Sequence, residues 1–312
     1  MWILVILGVI AGQFCYSMRN EIKAAGLIKD ESQAYYVAAA GIYAGLEKFF
    51  QKRTGNNPFK KEDEELIWRV SADMPAQSFG NGSYKIRIGN ESGKVNLNYA
   101  DRELLKMLFS SLEVEGPEIE SIVDSILDWR DVDSLYRLYG AENDYYQSLP
   151  KPYKCRDGFF RYVDELLLVK GITRELYDKG LKDFVSVVMI PDVKTKGIKP
   201  MNKGLLNINA VPEALLKILP GMTPKALEGI VGFRQTKDIS GLHDLITIMG
   251  PELAGGLQKF IDYRHNRFYT FEAEGWTLNN ETRQRIRVMV QEIPVTDQRF
   301  RIVQWIDSVT EY

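Results

Sequence analysis

The amino-terminal part of the chain has the hydrophobic pattern of one long helix. Residues 1–18 are apolar apart from Gln13 and Ser17. A bilayer-spanning helix needs about 17–25 apolar residues, so this run predicts a transmembrane anchor. From Asn20 to Phe50, apolar residues recur at helical spacing, which predicts that the helix continues and packs one face on a soluble domain. The Gly and Pro of Thr54–Pro58 are expected to end the helix.

Two alternatives remain open for residues 1–18. A secretory signal peptide would combine a basic region before its apolar run with a small-residue cleavage site after it. Neither feature is found here, and the run is followed by Arg19, Glu21 and Lys23 in a continuing helical pattern. We therefore favour an anchor helix over a cleaved signal peptide or a buried core helix.

A second pattern, the alternation of apolar and polar residues, predicts strands on both sides of the central region. Phe79–Gly82 reads as a turn, and Tyr84, Ile86 and Ile88 alternate with polar residues after it. Three further short segments have the strand pattern: Phe268–Trp276, Arg285–Ile293 and Phe300–Ile306. The turn residues Asn279-Asn280 and Pro294–Asp297 separate them, which favours an antiparallel meander.

The mostly helical sequence between these strand regions contains an internal duplication. Each copy begins with an Asn-x-Asn motif, at Asn96 and Asn207, and has Leu-Leu-Lys six residues after the second Asn. Each then gives an Ile-Val step and an arginine, Arg130 or Arg234, and closes with leucines before a glycine. The first copy is longer, and most of its extra residues precede Phe160.

The second Asn of each motif stands just before a helical pattern. Asn98 and Asn209 are therefore expected to cap the helices that follow, because an Asn side-chain oxygen can accept the free amide protons of a first helical turn. Asp101, three residues after Asn98, also suits the positive end of a helix.

Composition narrows the class of protein. The 312 residues suggest about two domains, and a hydrophobic content of 45% with 26% charged residues is ordinary for a globular protein. With a net charge of −2, the chain has no excess of basic residues of the kind expected in a nucleic-acid-binding protein. The two cysteines, Cys15 and Cys155, are far apart and indicate neither a disulfide framework nor a zinc site.

The sequence gives only weak matches to known enzyme motifs. The two histidines, His243 and His265, have no metal-ligand spacing, and no nucleophile elbow or dinucleotide fingerprint occurs. Gly89–Val95 imitates a phosphate-binding loop but is one residue short, so it is predicted to be a hairpin turn instead. The sequence therefore favours a protein that is not an enzyme.

The extra residues of the first copy contain two pairs of alternating acids. Asp131 and Asp133 form one pair, and Glu142 and Asp144 the other. Ca²⁺ prefers six to eight oxygen ligands in flexible geometry, which clustered carboxylates can supply. The twelve-residue EF-hand pattern is absent, so the residues alone favour a solvated acidic loop over a calcium site. Its ion-pair partners would come from nearby arginines, namely Arg130, Arg137 and Arg156.

The duplicated motif also resembles the tandem helix-hairpin-helix modules of competence DNA receptors. In those modules a Gly-x-Gly turn exposes backbone amides to a phosphate. Gly221–Thr223 lacks the second Gly, and Leu112–Gly116 in the first copy carries two carboxylates that would repel a phosphate. The resemblance predicts a shared fold with no nucleic-acid partner. A membrane-anchored DNA-binding protein is the alternative function.

Five motifs, in order and spacing, resemble the minor pseudopilin K family of type II secretion systems. They lie at Val95–Tyr99, Ile126–Asp133, Gly140–Tyr146, Asp164–Ile172 and Leu206–Val211. The resemblance implies an α+β fold with a pilin-like long amino-terminal helix on an antiparallel sheet. It also implies a large inserted all-α domain with two helix-hairpin-helix-like (SAM-like) repeats. The expected divisions are an anchor at 1–18, a body at 19–94 and 267–312, and the inserted domain at 95–266.

The resemblance further implies a function in assembly. Family members are structural subunits at the tip of the periplasmic pseudopilus, in complex with the I-type and J-type minor pseudopilins. Residues 1–18 would anchor the chain in the bacterial inner membrane, with its bulk in the periplasm. Met1-Trp2 stands where the family has a Leu-Trp pair. The family's leader and the start of its mature helix are therefore expected to be missing from this sequence, either because the start codon is misassigned or because the chain was trimmed.

The family also binds calcium in the acidic part of its helical domain. Carried over by motif, this implies Asp131, Asp133, Glu142 and Asp144 as the Ca²⁺ ligands. Cys155 has no soluble partner, so a disulfide found in relatives is not expected here.

Overall fold

A helix of 52 residues opens the chain. The computed structural model describes residues 1–53, 68–188, 204–277, 282–293 and 299–307. Helix α1 runs from Trp2 to Arg53, about 78 Å at 1.5 Å per residue. Its first 33 residues are not buried, whereas an apolar stripe from Ala34 onward is buried against the rest of the chain. The predicted continuous helix is therefore confirmed.

The exposed part of α1 contains an apolar stretch long enough to cross a bilayer, and none of that stretch is buried by the protein. It fits the predicted transmembrane anchor. The expected helix end at Thr54–Pro58 and the turns Asn279-Asn280 and Pro294–Asp297 lie outside the described residues.

The buried part of α1 packs on an antiparallel sheet. Among the described residues the strand order is β1-β2-β7-β8-β9. The strands are β1 (Gln77–Phe79), β2 (Gly82–Asn90), β7 (Phe268–Thr277), β8 (Arg283–Glu292) and β9 (Phe300–Asp307). Alternate residues face α1, so that Ile86, Ala273 and Ile286 share one register row in the core. The predicted strands at the two ends of the chain thus belong to one sheet.

Small residues let α1 approach the sheet closely at β7. A methyl group added at Gly275 would lie 2.3 Å from the backbone nitrogen of Ala38 and 2.5 Å from the carbonyl oxygen of Ala34. Real Cβ atoms do not make such contacts, so the helix rests directly on the strand backbone here. Ala34 and Ala38 are themselves fully buried.

A helical region separates two neighbouring strands of the sheet. Strands β2 and β7 pair from Gly82–Thr277 to Asn90–Tyr269, yet the chain from Glu91 to Arg267 lies between them. The helices are α2 (Arg102–Ser111), α3 (Gly116–Arg130), α4 (Asn143–Gln147), α5 (Arg174–Leu176), α6 (Lys182–Phe184), α7 (Glu213–Leu216), α8 (Pro224–Thr236), α9 (Leu242–Met249) and α10 (Pro251–Leu257). They enclose a hydrophobic core distinct from the core between α1 and the sheet.

The duplication seen in the sequence has a structural counterpart. In each copy a two-residue strand at the start pairs in parallel with one at the end. The pairs are β3 (Val95–Asn96) with β4 (Val185–Ser186), and β5 (Leu206–Asn207) with β6 (Ile261–Asp262). The predicted hairpin at Gly89–Val95 is wrong, because β2 continues to Asn90 and Val95 pairs with Val185 instead of returning along β2.

The second Asn of each motif does not cap a helix, contrary to expectation. The side chain of Asp101 caps α2, accepting a hydrogen bond from Leu104 N at 2.8 Å, and Pro212 precedes α7. Asn98 instead exchanges two hydrogen bonds with the Phe160 backbone and donates to Val187 O. The side chain of each Asn therefore joins segments that are distant in sequence.

Asn209 makes the equivalent set of bonds in the second copy. Its Oδ1 accepts from Ile239 N at 2.7 Å, and its Nδ2 donates to Ile239 O at 2.9 Å and to Tyr263 O at 3.2 Å. It is 2% exposed, so water cannot replace these partners.

The arginine of each copy also has a repeated structural role. Arg130 donates to the carbonyl oxygens of Leu97 and Ala100. Arg234 donates to those of Ile208 and Val211, at 3.0 and 2.9 Å. Burial lowers the pKa of both guanidinium groups to about 10, yet both remain cations near neutral pH. Each cation fixes the turn that follows its Asn-x-Asn motif.

Replacing Asn209 with alanine is expected to destabilise the helical region by about 2–4 kcal/mol, because it leaves buried backbone groups of Ile239 and Tyr263 unpaired. Thermal unfolding followed by circular dichroism measures the loss. Asn98→Ala should cost a similar amount, since its bonds are equivalent. A large loss in only one copy would contradict the structural equivalence of the two residues.

Candidate metal centre

The last turns of α3 bury two acidic side chains. Asp124 and Asp128 are 1% and 0% exposed, and a buried carboxylate is costly unless it is paired. Asp124 accepts hydrogen bonds from the Arg102 guanidinium and from Tyr139 N. Asp128 accepts from the Arg137 guanidinium at 2.5 Å. These contacts tie the loop after α3 to the helix.

The ion pairs differ in part from those expected. Asp128 pairs with Arg137, and the alternative pairing with Arg130 is not formed because that guanidinium binds backbone carbonyls. Arg137 also reaches Asp131 Oδ2 at 2.6 Å. The Arg156 guanidinium lies 3.7 Å from Glu165. Of the three candidate arginines, only Arg137 neutralises this acidic loop among the described contacts.

Three of the four predicted metal ligands lie together. One carboxylate oxygen each from Asp131, Asp133 and Glu142 lies within 4.8 Å of the others. Asp131 directly follows α3, Asp133 lies two residues further along the loop, and Glu142 directly precedes α4. Asp144 is exposed in the first turn of α4 and lies outside this group. The folded loop therefore brings together acids from both predicted pairs.

Glu142 is the most perturbed acid of the group. It is 2% exposed, and neither of its carboxylate oxygens has a hydrogen-bond partner among the residues that the structure describes. Burial, followed by repulsion from Asp128 and Asp131, raises its pKa to about 7. A buried, unpaired carboxylate among like charges is a site where a cation would lower the free energy.

The donor atoms of this group fit calcium. Hard carboxylate oxygens from a flexible loop are the ligands that Ca²⁺ takes, completed by backbone carbonyls or water. Asp131 Oδ1 is a further buried oxygen without a hydrogen-bond partner among the described residues, and Asp133 is exposed at the mouth of the group. An ion here would be reached from solvent beside Asp133.

A second group shares Glu142. It joins one ligand atom each from Glu142, Cys155 and Asp157, again within 4.8 Å. Burial raises the pKa of the Cys155 thiol to about 12, so the free thiol is neutral. Sequence reasoning missed Asp157, because no spacing rule connects it to Glu142. The one signal in the sequence was that Asp157 lies, like Glu142, in the extra segment of the first copy.

The fold defines a protein with a long amino-terminal helix on an antiparallel sheet and a large helical insertion. The family model of the type II secretion system (T2SS), protein K, matches residues 88–191. That range contains the acidic group and all four predicted ligands. In this region the chain is therefore similar to type II secretion system protein K, the family that the motifs indicated.

Curated proteins that match the chain are also named type II secretion system protein K. The chain is 29% identical over 154 residues to type II secretion system protein K of Aeromonas hydrophila, covering 49% of the chain and 43% of that protein. It is 33% identical over 94 residues to the protein K of Pectobacterium carotovorum subsp. carotovorum, covering 30% and 28%. The match to the putative protein K of Escherichia coli (strain K12) is 24% identical over 182 residues, covering 55% and 52%. The chain thus spans less than half the length of the first two relatives.

A solved structure shares the fold. It is the GspK-GspI-GspJ complex from the type 2 secretion system of enterotoxigenic Escherichia coli, with a TM-score of 0.57 and 15% identity. The similarity covers 94% of this chain and 100% of the matched chain. No comparison among these supports the alternative of a DNA receptor.

Proposed function

We propose that this chain is a minor pseudopilin at the tip of a type II secretion pseudopilus, and that it acts by assembly instead of catalysis. The observation that carries the proposal is helix α1. None of its first 33 residues is buried by the rest of the chain, whereas its later part belongs to the core against the sheet. A subunit of this form stands on a membrane, or on a bundle of like helices, through its free half.

The free part of α1 also supports a proposed location. Residues 1–18 remain in the inner membrane before assembly, and the folded part lies in the periplasm. Arg19, Glu21 and Lys23 mark where the apolar run ends, which is where a helix leaves the hydrocarbon core. The apolar side chains exposed before them would be costly in water and are stable in lipid.

The helical insertion favours a terminal position. It has its own hydrophobic core and emerges between adjacent strands β2 and β7, so it adds a second body beside the sheet. Its two copies are proposed to be helix-hairpin-helix-like (SAM-like) repeats, occupying about residues 95–266. A body of this size would obstruct subunits stacked above it in a filament but does not obstruct a single subunit at the end.

The proposed partners are the I-type and J-type minor pseudopilins. The matched structure is titled as a complex of three proteins, GspK, GspI and GspJ, and this chain shares the fold of one chain in it. We expect the full chain in detergent to form a stoichiometric complex when mixed with the I-type and J-type proteins of its own secretion system. Size-exclusion chromatography with light scattering measures the mass of the complex.

The matched control replaces the J-type protein with the major pseudopilin of the same system, which should not yield the same complex. Elution of the chain as a separate monomer from the full mixture would contradict the tip assignment.

We further propose that the acidic group holds Ca²⁺, with Asp131, Asp133 and Glu142 as ligands. The unpaired carboxylate oxygens of Glu142 and the repulsion among the three acids support it. Asp144 remains a candidate fourth ligand, although it lies outside the group. Bound calcium would fix the loop after α3 against α4 and neutralise charge that Arg137 alone does not balance.

A further inference from the structure

Strand β9 forms one edge of the sheet and exposes apolar side chains. It pairs with β8 along its length, apart from one irregularity opposite Val290, and in the described part of the chain no strand pairs with its other side. Ile302, Val303 and Ile306 are 44%, 48% and 37% exposed. Proteins usually protect a free edge with proline, charges or a very short strand, because an open edge pairs with other chains. The β9 edge is therefore available to a partner strand.

The register shows which backbone groups face the free side of β9. Glu292 N donates a hydrogen bond to Arg267 O at 2.7 Å, so Glu292 turns its backbone groups toward β7. Opposite residues of an antiparallel pair either bond to each other or both point away. Phe300, opposite Glu292, therefore points away from β8, and so does Ile302, opposite Val290. Their N–H and C=O groups are the ones that an added strand would bind.

Apolar surface flanks this edge on both faces of the sheet. On the face that packs on α1, the Trp305 ring lies 5.9 Å from the ring of Tyr43, which is exposed. On the opposite face, a groove of about 800 Å³ lies between β9 and the helical insertion. Val303 and Ile306 line this groove together with Val187 of the insertion. A strand with alternating apolar side chains would bury one set beside Tyr43 and the other set in the groove.

Helix α1 indicates which partner supplies the strand. Tyr43 and Tyr36 are exposed and seven residues apart, so they lie on one face of α1, and the exposed Ile22 continues that face into the free part of the helix. The surface beside β9 is thus continuous with the part of α1 that, under the proposed function, joins a bundle of like helices. A subunit whose helix packs on this face would lie beside β9.

We propose that the free edge of β9 accepts an extended strand from the neighbouring pilin-like subunit, the one whose amino-terminal helix packs beside α1. The added strand extends the five-stranded sheet across the interface and bonds to the outward backbone groups of Phe300 and Ile302. The inference rests on the proposed function, because an assembling subunit has such a neighbour. It adds the surface of contact and the chemistry of recognition, which is backbone pairing between two apolar strips.

Hydrogen exchange at single-residue resolution tests the pairing. In the full chain alone in detergent, the Arg301 amide should exchange slowly because it faces β8, whereas the Ile302 amide should exchange fast. In the complex with the I-type and J-type proteins of the same secretion system, exchange at Phe300 and Ile302 should slow by at least tenfold. A complex in which both amides still exchange fast would overturn this proposal and leave the proposed function standing.

Variants at one position separate backbone pairing from side-chain contact. Ile302→Pro removes an outward N–H that β8 does not use, so we expect the chain to stay folded and the complex to weaken at least tenfold. Ile302→Ala is the matched control, because it loses the side chain but keeps the N–H, and it should weaken the complex less. Equal affinities for the parent and Ile302→Pro, or equal losses in the two variants, would overturn the proposal. The exchange measurement uses the unaltered chain and decides the matter if the proline variant does not fold.

Two further outcomes separate this proposal from its alternatives. If the parent chain forms no complex with the I-type and J-type proteins, the proposed function and this proposal both fail. If Phe300 and Ile302 become protected as the concentration of the chain alone is raised, two β9 edges pair with each other. That second copy would then be the occupant of the edge, and the assignment to a neighbouring subunit would be wrong.

Discussion

Replacing Gly275 with alanine is expected to destabilise the helix–sheet body by about 3 kcal/mol, at the upper end of overpacking costs. The new methyl group would meet the backbone of α1, at Ala38 N and Ala34 O, and neither backbone atom can rotate away as a side chain would. Either α1 moves off the sheet or β7 distorts. Thermal unfolding of the full chain in detergent measures the loss.

Gly89→Ala is the matched control in the neighbouring strand β2. A methyl group there would have no heavy atom nearer than 3.8 Å, so stability should remain within about 1 kcal/mol of the parent. Equal unfolding temperatures for the Gly275 and Gly89 variants would show that α1 does not rest on β7 as described.

Calcium is expected to raise the unfolding temperature of the helical region by about 5–10 °C when its concentration is about 100 times the dissociation constant. In the proposed site the ion would bind the folded group of Asp131, Asp133 and Glu142, which the unfolded chain does not bring together. A chelator should reverse the shift. Glu142→Gln should abolish it, and Asp144→Asn tests the fourth predicted ligand separately.

Without calcium, Glu142→Gln should have the opposite effect and stabilise the folded chain. The folded-state pKa of Glu142 is raised from 4.5 to about 7, so folding disfavours the ionised form. The wild-type chain therefore loses stability as pH rises from 4.5 to 7, and this loss is complete above 7. Glu142→Gln should be the more stable protein at pH 8 in chelator, by a margin that disappears near pH 4.5. A Glu142→Gln chain that is less stable throughout this range would contradict the unpaired burial of the acid.

Periodicity was sufficient to predict the elements of the body. Helix α1 and the strands β2, β7 and β8 each repeat their buried positions over eight or more residues, which is long enough for the pattern to be clear. Strand β9 has no buried position and was predicted from its strand-forming residues alone. A single antiparallel sheet was implied by the family resemblance, but the pairing of β2 with β7 across the whole insertion was not predicted.

The short elements could not be predicted in this way. The parallel strands β3 to β6 have two residues each, too few to show alternation. Asn98 was expected to be a cap because an Asn before a helix usually is one. Its actual partner, Phe160, lies 62 residues away, and only the folded chain brings it near.

The sequence predicted that acidic residues of this loop would form a site, but it did not predict correctly which residues belong to it. Asp131 and Asp133 closely follow the end of a helix, and Glu142 lies in the same loop. A single reversal of the chain in this loop therefore brings the three acids together. Asp144 was expected on the same grounds as Glu142, but α4 begins at Asn143 and carries Asp144 into its exposed first turn. Cys155 and Asp157 join through the packing of a later loop against Asn143 and Trp129.

Export in the native host tests the proposed function most directly. Deleting the gene for this chain should leave the proteins exported by type II secretion in the periplasm. The wild-type gene and the Gly89→Ala variant should restore their release to the medium, whereas Gly275→Ala, with α1 displaced from its sheet, should not. Normal release from the deletion strain would contradict a role for this chain in the secretion pseudopilus.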